Sequence, residues 1–243
     1  EAVVQCQQEG TVKYVGITGH GQPDALIYSI RNHSYDVLMT GFNYFDRFNF
    51  PKTEQVLLKE CQQRGIGVLG MKSLADGYLY RSVENSIRYA LSLPISTLVL
   101  GVNTMDYLEQ DLSIIKNFVP MSATEQDDLF LNAPELGNYV CRLCEHCDTE
   151  TFKPSEIFTI EGQYDRQMDD GIVPNPAQYA LRERLKHWFA QADSARERYQ
   201  NYQGKADMNK DYRYLNELCP YGINIDRKLK LAHSKLSQDE VIF

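Results

Sequence analysis

Three of the chain's six cysteines fall in the run Cys141-Arg142-Leu143-Cys144-Glu145-His146-Cys147. This C-x2-C-x2-C repeat constrains the chain more than any other feature. Three thiolates at that spacing can wrap one face of an iron–sulfur cubane, each reaching a different iron. The fourth ligand has to come from elsewhere. Cys219 is the candidate, because it alone is followed by proline, Pro220. The reading is one 4Fe–4S cluster held by Cys141, Cys144, Cys147 and Cys219.

In bacterial ferredoxins such a run continues to a fourth cysteine followed by proline, and that cysteine serves the other cluster. Here the position due for it holds Thr151, while the Cys-Pro ending appears at Cys219. Counting back from Cys219 with the same spacing gives Leu215, Tyr212 and Asn209, none of them cysteine. The region resembles a two-cluster ferredoxin module that keeps one cluster's ligands, with Tyr212 and Leu215 filling the other's space. Structural zinc is the competing reading, since four thiolates satisfy it too. Zinc is more usually held by two separate C-x2-C pairs. His146 reads as a bystander between two ligands, and Cys6 and Cys61, isolated on predicted helices, as inert thiols.

The first 120 or so residues alternate between strand and helix patterns. Strands are expected at Val12–Ile17, Val37–Thr40, Val68–Met71 and Thr97–Leu100. Helices are expected from Pro23 to about Arg31, ending near Arg64, at Ser82–Leu93, and after the cap Thr104. The strands are short, apolar and non-alternating, as when both faces of a parallel sheet are buried. A repeat of roughly 30 residues per unit fits a (β/α) barrel or a doubly wound sheet. No G-x-G-x-x-G follows any strand, so the dinucleotide fingerprint is missing. After Pro120 the pattern is helix and loop. Its clearest helix starts at Asn175-Pro176, with a stripe of Leu181, Leu185, Trp188, Phe189, Ala192, Ala195 and Tyr199. The expected domains are residues 1–120, α/β, and 121–243, mainly helical.

Net charge is −8, from 25 basic and 33 acidic residues, and no basic tract occurs. That argues against a nucleic-acid partner. No apolar run approaches the ~18 residues of a membrane span, and no secretory signal is seen, so the expected setting is cytoplasmic. The opening residues Glu1–Gly10 read as the end of an amphipathic helix under way, so the sequence is expected to be a fragment.

The segments Lys13–His20, Tyr35–Asp46, Gly65–Ala75 and Leu98–Thr104 resemble, in order, strands five to eight of an aldo-keto reductase barrel. The cysteine module follows where the iron–sulfur branch of that family carries one. The resemblance implies the C-terminal half of a (β/α)8 barrel followed by a ferredoxin-like module. It implies an oxidoreductase that reduces a small carbonyl substrate with NADP or NAD. The family's catalytic residues lie on strands one to four, so the resemblance assigns no catalytic residue here. The missing half of the barrel would be supplied in cis or by another polypeptide.

For the cofactor, the resemblance places Thr18 and Gly19 where the family has Ser-Asn against the carboxamide. Met39 falls at a glutamine position and Met71 at a ring-stacking tyrosine. Lys72 would neutralise the pyrophosphate, and the backbone at Asn103 and Thr104 would hold a phosphate. The family's adenine contacts fall on Tyr107, Gln110 and Asp111. The plainer alternatives are that Thr18 ends a strand, Lys72 is a charge at the barrel mouth, and Met39 and Met71 are core. His20 and Asn43 are read as turn residues or substrate contacts. A second reading of the whole is a non-enzymatic, degenerate barrel whose cluster is structural or senses redox state.

Overall fold

The computed structural model describes residues 2–170 and 192–237. Two compact units divide the chain: Glu1–Arg47 with Pro51–Ser122, and Phe48–Phe50 with Ala123–Phe243.

The first unit begins with α1 (Ala2–Gln8) and holds four strands: β1 (Gly16–Thr18), β2 (Val37–Gly41), β3 (Gly67–Met71) and β4 (Thr97–Leu98). They form one all-parallel sheet in the order β1-β2-β3-β4. Parallel neighbours need crossovers, and these are α2 (Asp24–Asn32), a π-helical turn (Thr53–Leu58) running into α4 (Lys59–Arg64), and α5 (Val83–Ser92). A short α3 (Asp46–Asn49) interrupts the loop after β2, where the sequence pattern shows only loop. The strand order is sequential, with no reversal of the kind that marks the switch point of a doubly wound sheet. The chain is α/β, with the succession of strands seen in a run of consecutive barrel strands.

Apolar spacing explains the packing. Leu26, Ile27 and Ile30 of α2 meet Leu57, Leu58 and Cys61 and the strand residues Leu38 and Val68 in one buried cluster. Gly65 ends α4 in the left-handed region (φ 69°), its N–H bonded to the carbonyls of Cys61 and Gln62, a conformation that glycine adopts without Cβ strain. Gly70 is required by close approach, since a Cβ there would sit 2.8 Å from Ile95 Cδ1.

Two expectations need correcting. The strand expected at Val12–Ile17 pairs only over Gly16–Thr18. The Val15 N–H is taken by the Asp36 carboxylate at 2.7 Å, and the Val12 N–H turns back to the Cys6 carbonyl. The strands are also not buried on both faces. In β2, Leu38 and Thr40 are buried while Val37, Met39 and Gly41 are half-buried. Leu38 packs among the helices; the face of Val37 and Met39 lacks an equal cover. β1 and β4 are the outer strands, and the apolar side chains of Tyr14, Val99 and Val102 beside them are exposed.

α6 (Met105–Lys116) closes the first unit. The Thr104 side chain caps it by accepting the Tyr107 N–H at 3.2 Å.

The second unit contains α7 (Ala123–Asn132), α8 (Pro154–Asp165), α9 (Ala192–Asn201), a 3-10 turn (Arg213–Leu218) and α10 (Ile225–Ser237). No strand occurs among its described residues. Ile157, Phe158 and Ile160 of α8, Ala195 and Tyr199 of α9, and Leu229, Ala232 and Leu236 of α10 share one core. Of the expected apolar stripe, Ala195 and Tyr199 are sealed in that core; Leu181, Leu185, Trp188 and Phe189 lie outside the described residues. No helix among the described residues is long and apolar enough to cross a membrane.

Candidate functional site

The cysteine loop leaves α7 through a turn and returns into α8. Its backbone is unusual: Leu143 (φ 55°) and Glu145 (φ 62°) are both left-handed without being glycine. Left-handed residues set within such a loop turn successive N–H groups toward one concave side, the arrangement that receives anions and iron–sulfur centres. One of these N–H groups, of Leu143, already points at Cys141 Sγ at 3.4 Å. The Cys141 N–H is fixed by Gln167 Oε1 at 2.8 Å. The second arm is the end of the 3-10 turn, where Cys219 is extended and Gly222 (φ 67°) turns the chain back to the Cys219 carbonyl.

The two arms meet in one core. Cys141 and Cys147 are buried, Cys144 and Cys219 are half-buried, and Cys219, Leu143 and Tyr221 pack on the cluster that contains Cys141 and Cys147. Electrostatically Cys141 feels Cys147 and Cys144, and Cys147 feels Cys144 and Cys219. Burial pushes the thiols of Cys141 and Cys147 up to about 12. Among the described residues no group of three or more His, Cys, Asp or Glu side chains could hold a metal ion. Cys141, Cys147 and Cys219 share one core, and no metal-holding group of side chains forms around them among the described residues. His146 is exposed, and Cys61 is sealed in the first unit's core.

Aromatic packing surrounds Tyr212 and Leu215. Tyr212 and Leu215 are buried. Phe152, next to Thr151, stacks on Tyr212 with centroids 5.1 Å apart and planes 14° from parallel. Lys210 Nζ lies over both rings, at 5.8 and 5.3 Å. Tyr212 is tied in further by its N–H to Asp226 and by its hydroxyl, which accepts the Asp207 N–H, each at 2.9 Å.

Sequence reasoning missed the polar groups around the cysteines. Arg142, inside the motif, is buried and bonded to backbone carbonyls. Behind Cys141, Lys228 Nζ pairs with Glu161 Oε2 at 2.9 Å, and Lys235 Nζ bridges Glu161 Oε1 (2.6 Å) and Asp165 Oδ2 (2.9 Å). The Tyr139 hydroxyl donates to Glu161 at 2.6 Å, and its ring lies 3.6 Å from Lys228 Nζ. Arg142 had a signal in its place between two of the motif's cysteines; the lysine–carboxylate group had none, its members being far apart in sequence.

In the first unit the five expected cofactor positions lie at or beyond the C-terminal ends of the parallel strands. Thr18 ends β1 and is exposed. Met71 ends β3 and is buried at 8% exposure, and its carbonyl accepts the Phe42 N–H. Lys72 (φ 56°) pairs with Asp76 (φ 58°), Nζ–Oδ1 2.8 Å. Asn103 and Thr104 are exposed before α6. Burial first, then Lys72, holds His20 below its ordinary pKa, so His20 and Lys72 share one neighbourhood. Asn43 is a turn residue: its side chain bonds the Lys72 carbonyl at 3.0 Å and both the N–H and carboxylate of Asp46. Of the adenine positions, Tyr107 and Gln110 are exposed, and Asp111 is buried and pushed up by that burial.

No protein-family model matches the chain, and no curated protein matches it either. Among solved structures it is similar to the holo form of the aldo-keto reductase AKR11C1 from Bacillus halodurans, with a TM-score of 0.43 and 17% sequence identity over 52% of this chain. The chain spans about half the length of that structure, 52% of it.

Proposed function

We propose that the chain is part of a nicotinamide-dependent oxidoreductase of the aldo-keto reductase type, acting on a carbonyl substrate, and that it holds one 4Fe–4S cluster. The observation that carries the cluster reading is the cysteine neighbourhood. Cys141, Cys147 and Cys219 pack on one core, and Cys144 lies between them in a loop with left-handed Leu143 and Glu145. A cubane spreads its four thiolates over four irons and so needs a wider ring of sulfurs than a single ion. When bound, a cluster supplies one-electron chemistry or a structural clip; the chain's residues bind it, bury two of its ligands and leave two near solvent.

The oxidoreductase reading rests on the sequential parallel sheet and on the placement of Thr18, Met71, Lys72, Asn103 and Thr104 at one end of it. The outer strands β1 and β4 would pair with further β/α units, supplied in cis or by another polypeptide, because unpaired strand edges and bare apolar faces are costly.

The non-enzymatic reading keeps one observation of its own. Lys72 is engaged by Asp76, and Met71 is buried, so two of the five cofactor positions have structural work. Fluorescence titration with NADPH and NADH separates the readings. Saturable binding of either that weakens in Lys72→Ala supports the oxidoreductase. No binding of either nucleotide when the chain is completed by its remaining β/α units and retains iron rejects it in favour of a structural or redox-sensing cluster.

A further inference from the structure

We propose that Phe48, Asn49 and Phe50 form a strap whose seating in the helical unit sets the conformation of the chain at Cys141. The inference does not depend on what the cysteines bind.

The strap consists of the last two residues of α3 and the residue after them, and all three belong to the helical unit. All three are buried, Asn49 completely. α8 makes room for them with a glycine: a Cβ at Gly162 would meet Asn49 Oδ1 at 2.8 Å and Asn49 Cα at 3.0 Å. The Phe48 and Phe130 rings meet edge to face, with centroids 5.2 Å apart and planes at 85°, a geometry that aromatic pairs prefer. An apolar seat alone would accept the strap in more than one register. A buried asparagine is costly unless its amide is bonded, so the partner of Asn49 fixes the register.

That partner is Gln167, 118 residues away in sequence, whose Nε2 donates to Asn49 Oδ1 at 3.0 Å. Gln167 is buried as well, and its Oε1 accepts the Cys141 N–H at 2.8 Å. A backbone N–H can only donate, so the oxygen end of the Gln167 amide must face Cys141 and the nitrogen end must face Asn49. One amide therefore joins the strap to the first cysteine. Its backbone is held in a rare conformation: Arg166 (φ 59°) and Gln167 (φ 55°) are consecutive left-handed residues, and neither is glycine. Such residues persist where their surroundings over-determine them. Here the Gln167 N–H is held by Asp165 Oδ1 at 3.0 Å, and its side chain by the two bonds above. A second route runs through the ring contact, because the Phe130 carbonyl accepts Arg142 Nε at 3.1 Å. Both routes end on adjacent residues, Cys141 and Arg142. Displacing the strap removes one tie of the Gln167 amide and the ring partner of Phe130 together.

The test measures hydrogen exchange at the Cys141 amide in the full chain, as wild type, Asn49→Ala, Gln167→Met and the double variant. The amides of β2 and β3 serve as the reference. Asn49→Ala should speed exchange at Cys141 roughly tenfold or more, the effect of losing one buried hydrogen bond from the relay, and leave β2 and β3 at wild-type rates. Gln167→Met should speed it at least as much. Adding Asn49→Ala to Gln167→Met should then change little, because the relay is already cut. A wild-type Cys141 rate in Asn49→Ala overturns the proposal. So do effects that multiply in the double variant, and so does equal acceleration in β2 and β3, which marks opening of the whole protein. If Asn49→Ala does not fold, Phe48→Leu decides: it trims the ring against Phe130 and keeps both amides. Faster exchange at Cys141 alone supports the strap, and an unchanged rate overturns it.

Discussion

Lys228 and Glu161 form an ion pair sealed from water, with Nζ 2.9 Å from Oε2 and side-chain exposures of 1% and 0%. Lys235 approaches the same carboxylate from two turns further along α10 and reaches Asp165 one turn along α8. The two lysines and two carboxylates sum to zero charge when all are ionised. Burying them is expensive, so the balance matters more than any single contact.

Glu161→Gln removes that balance and leaves Lys228 buried with no anion. We expect a loss of about 3–5 kcal/mol of stability, the usual cost of orphaning a buried charge. Urea denaturation of variant and wild type measures it. A loss under about 1 kcal/mol, within the range of an exposed pair, would mean that water reaches Lys228.

The two carboxylates should respond to pH in opposite directions. Burial opposes ionisation of Glu161, but Lys228 and Lys235 outweigh it and hold its pKa below the ordinary value of 4.5. Its stabilisation is therefore present above 4.5 and is lost as pH falls through the lower folded value. Asp165 is pushed above 3.8, first by burial, with Glu161 adding to the rise against the pull of Lys235. The folded state binds that proton more tightly, so its contribution is present below 3.8 and is lost as pH rises through the folded value. Asp165→Asn should remove this second dependence and gain on wild type as pH rises from about 4. Denaturation midpoints taken across that window, running parallel for the two proteins, would contradict it.

Gly162 lies in α8 against Asn49, and a Cβ there would sit 2.8 Å from Asn49 Oδ1 and 3.0 Å from its Cα. The Cα cannot rotate away, so Gly162→Ala should cost about 1–3 kcal/mol as an overpacked site despite alanine's better helix propensity. A thermal melt equal to or above wild type would show that the helix can shift.

Cys61 is fully buried, and burial pushes its thiol up to about 11. Cys6 is partly exposed on α1. Iodoacetamide should label Cys6 well before Cys61 in the native protein, with the difference abolished in denaturant. Equal native rates would place Cys61 outside a closed core.

The alternation of strand and helix was legible because crossovers between parallel strands impose it, and the four strands appear where the apolar runs lie. Strand lengths were not: Asp36 captures the Val15 N–H, and a single side-chain acceptor does not show in an apolar pattern. Of the residues the cysteine spacing singled out, Cys141, Cys147 and Cys219 pack on one core together with Tyr212 and Leu215. Lys72 read as a charge open to a phosphate, yet it pairs with Asp76. That pairing depends on left-handed backbone at Lys72, Ala75 and Asp76, and sequence signals left-handed turns mainly through glycine and asparagine. The Lys228–Glu161 pair was illegible for a different reason: nothing local marks a lysine that will be buried.

The most direct test of the central claim is the iron, acid-labile sulfide and zinc content of the full chain purified without oxygen, alongside Cys219→Ser. The account predicts about four irons and four sulfides per chain with no zinc, falling sharply when the Cys219 ligand is lost. One zinc per chain with no sulfide, or iron content indifferent to Cys219, would contradict it.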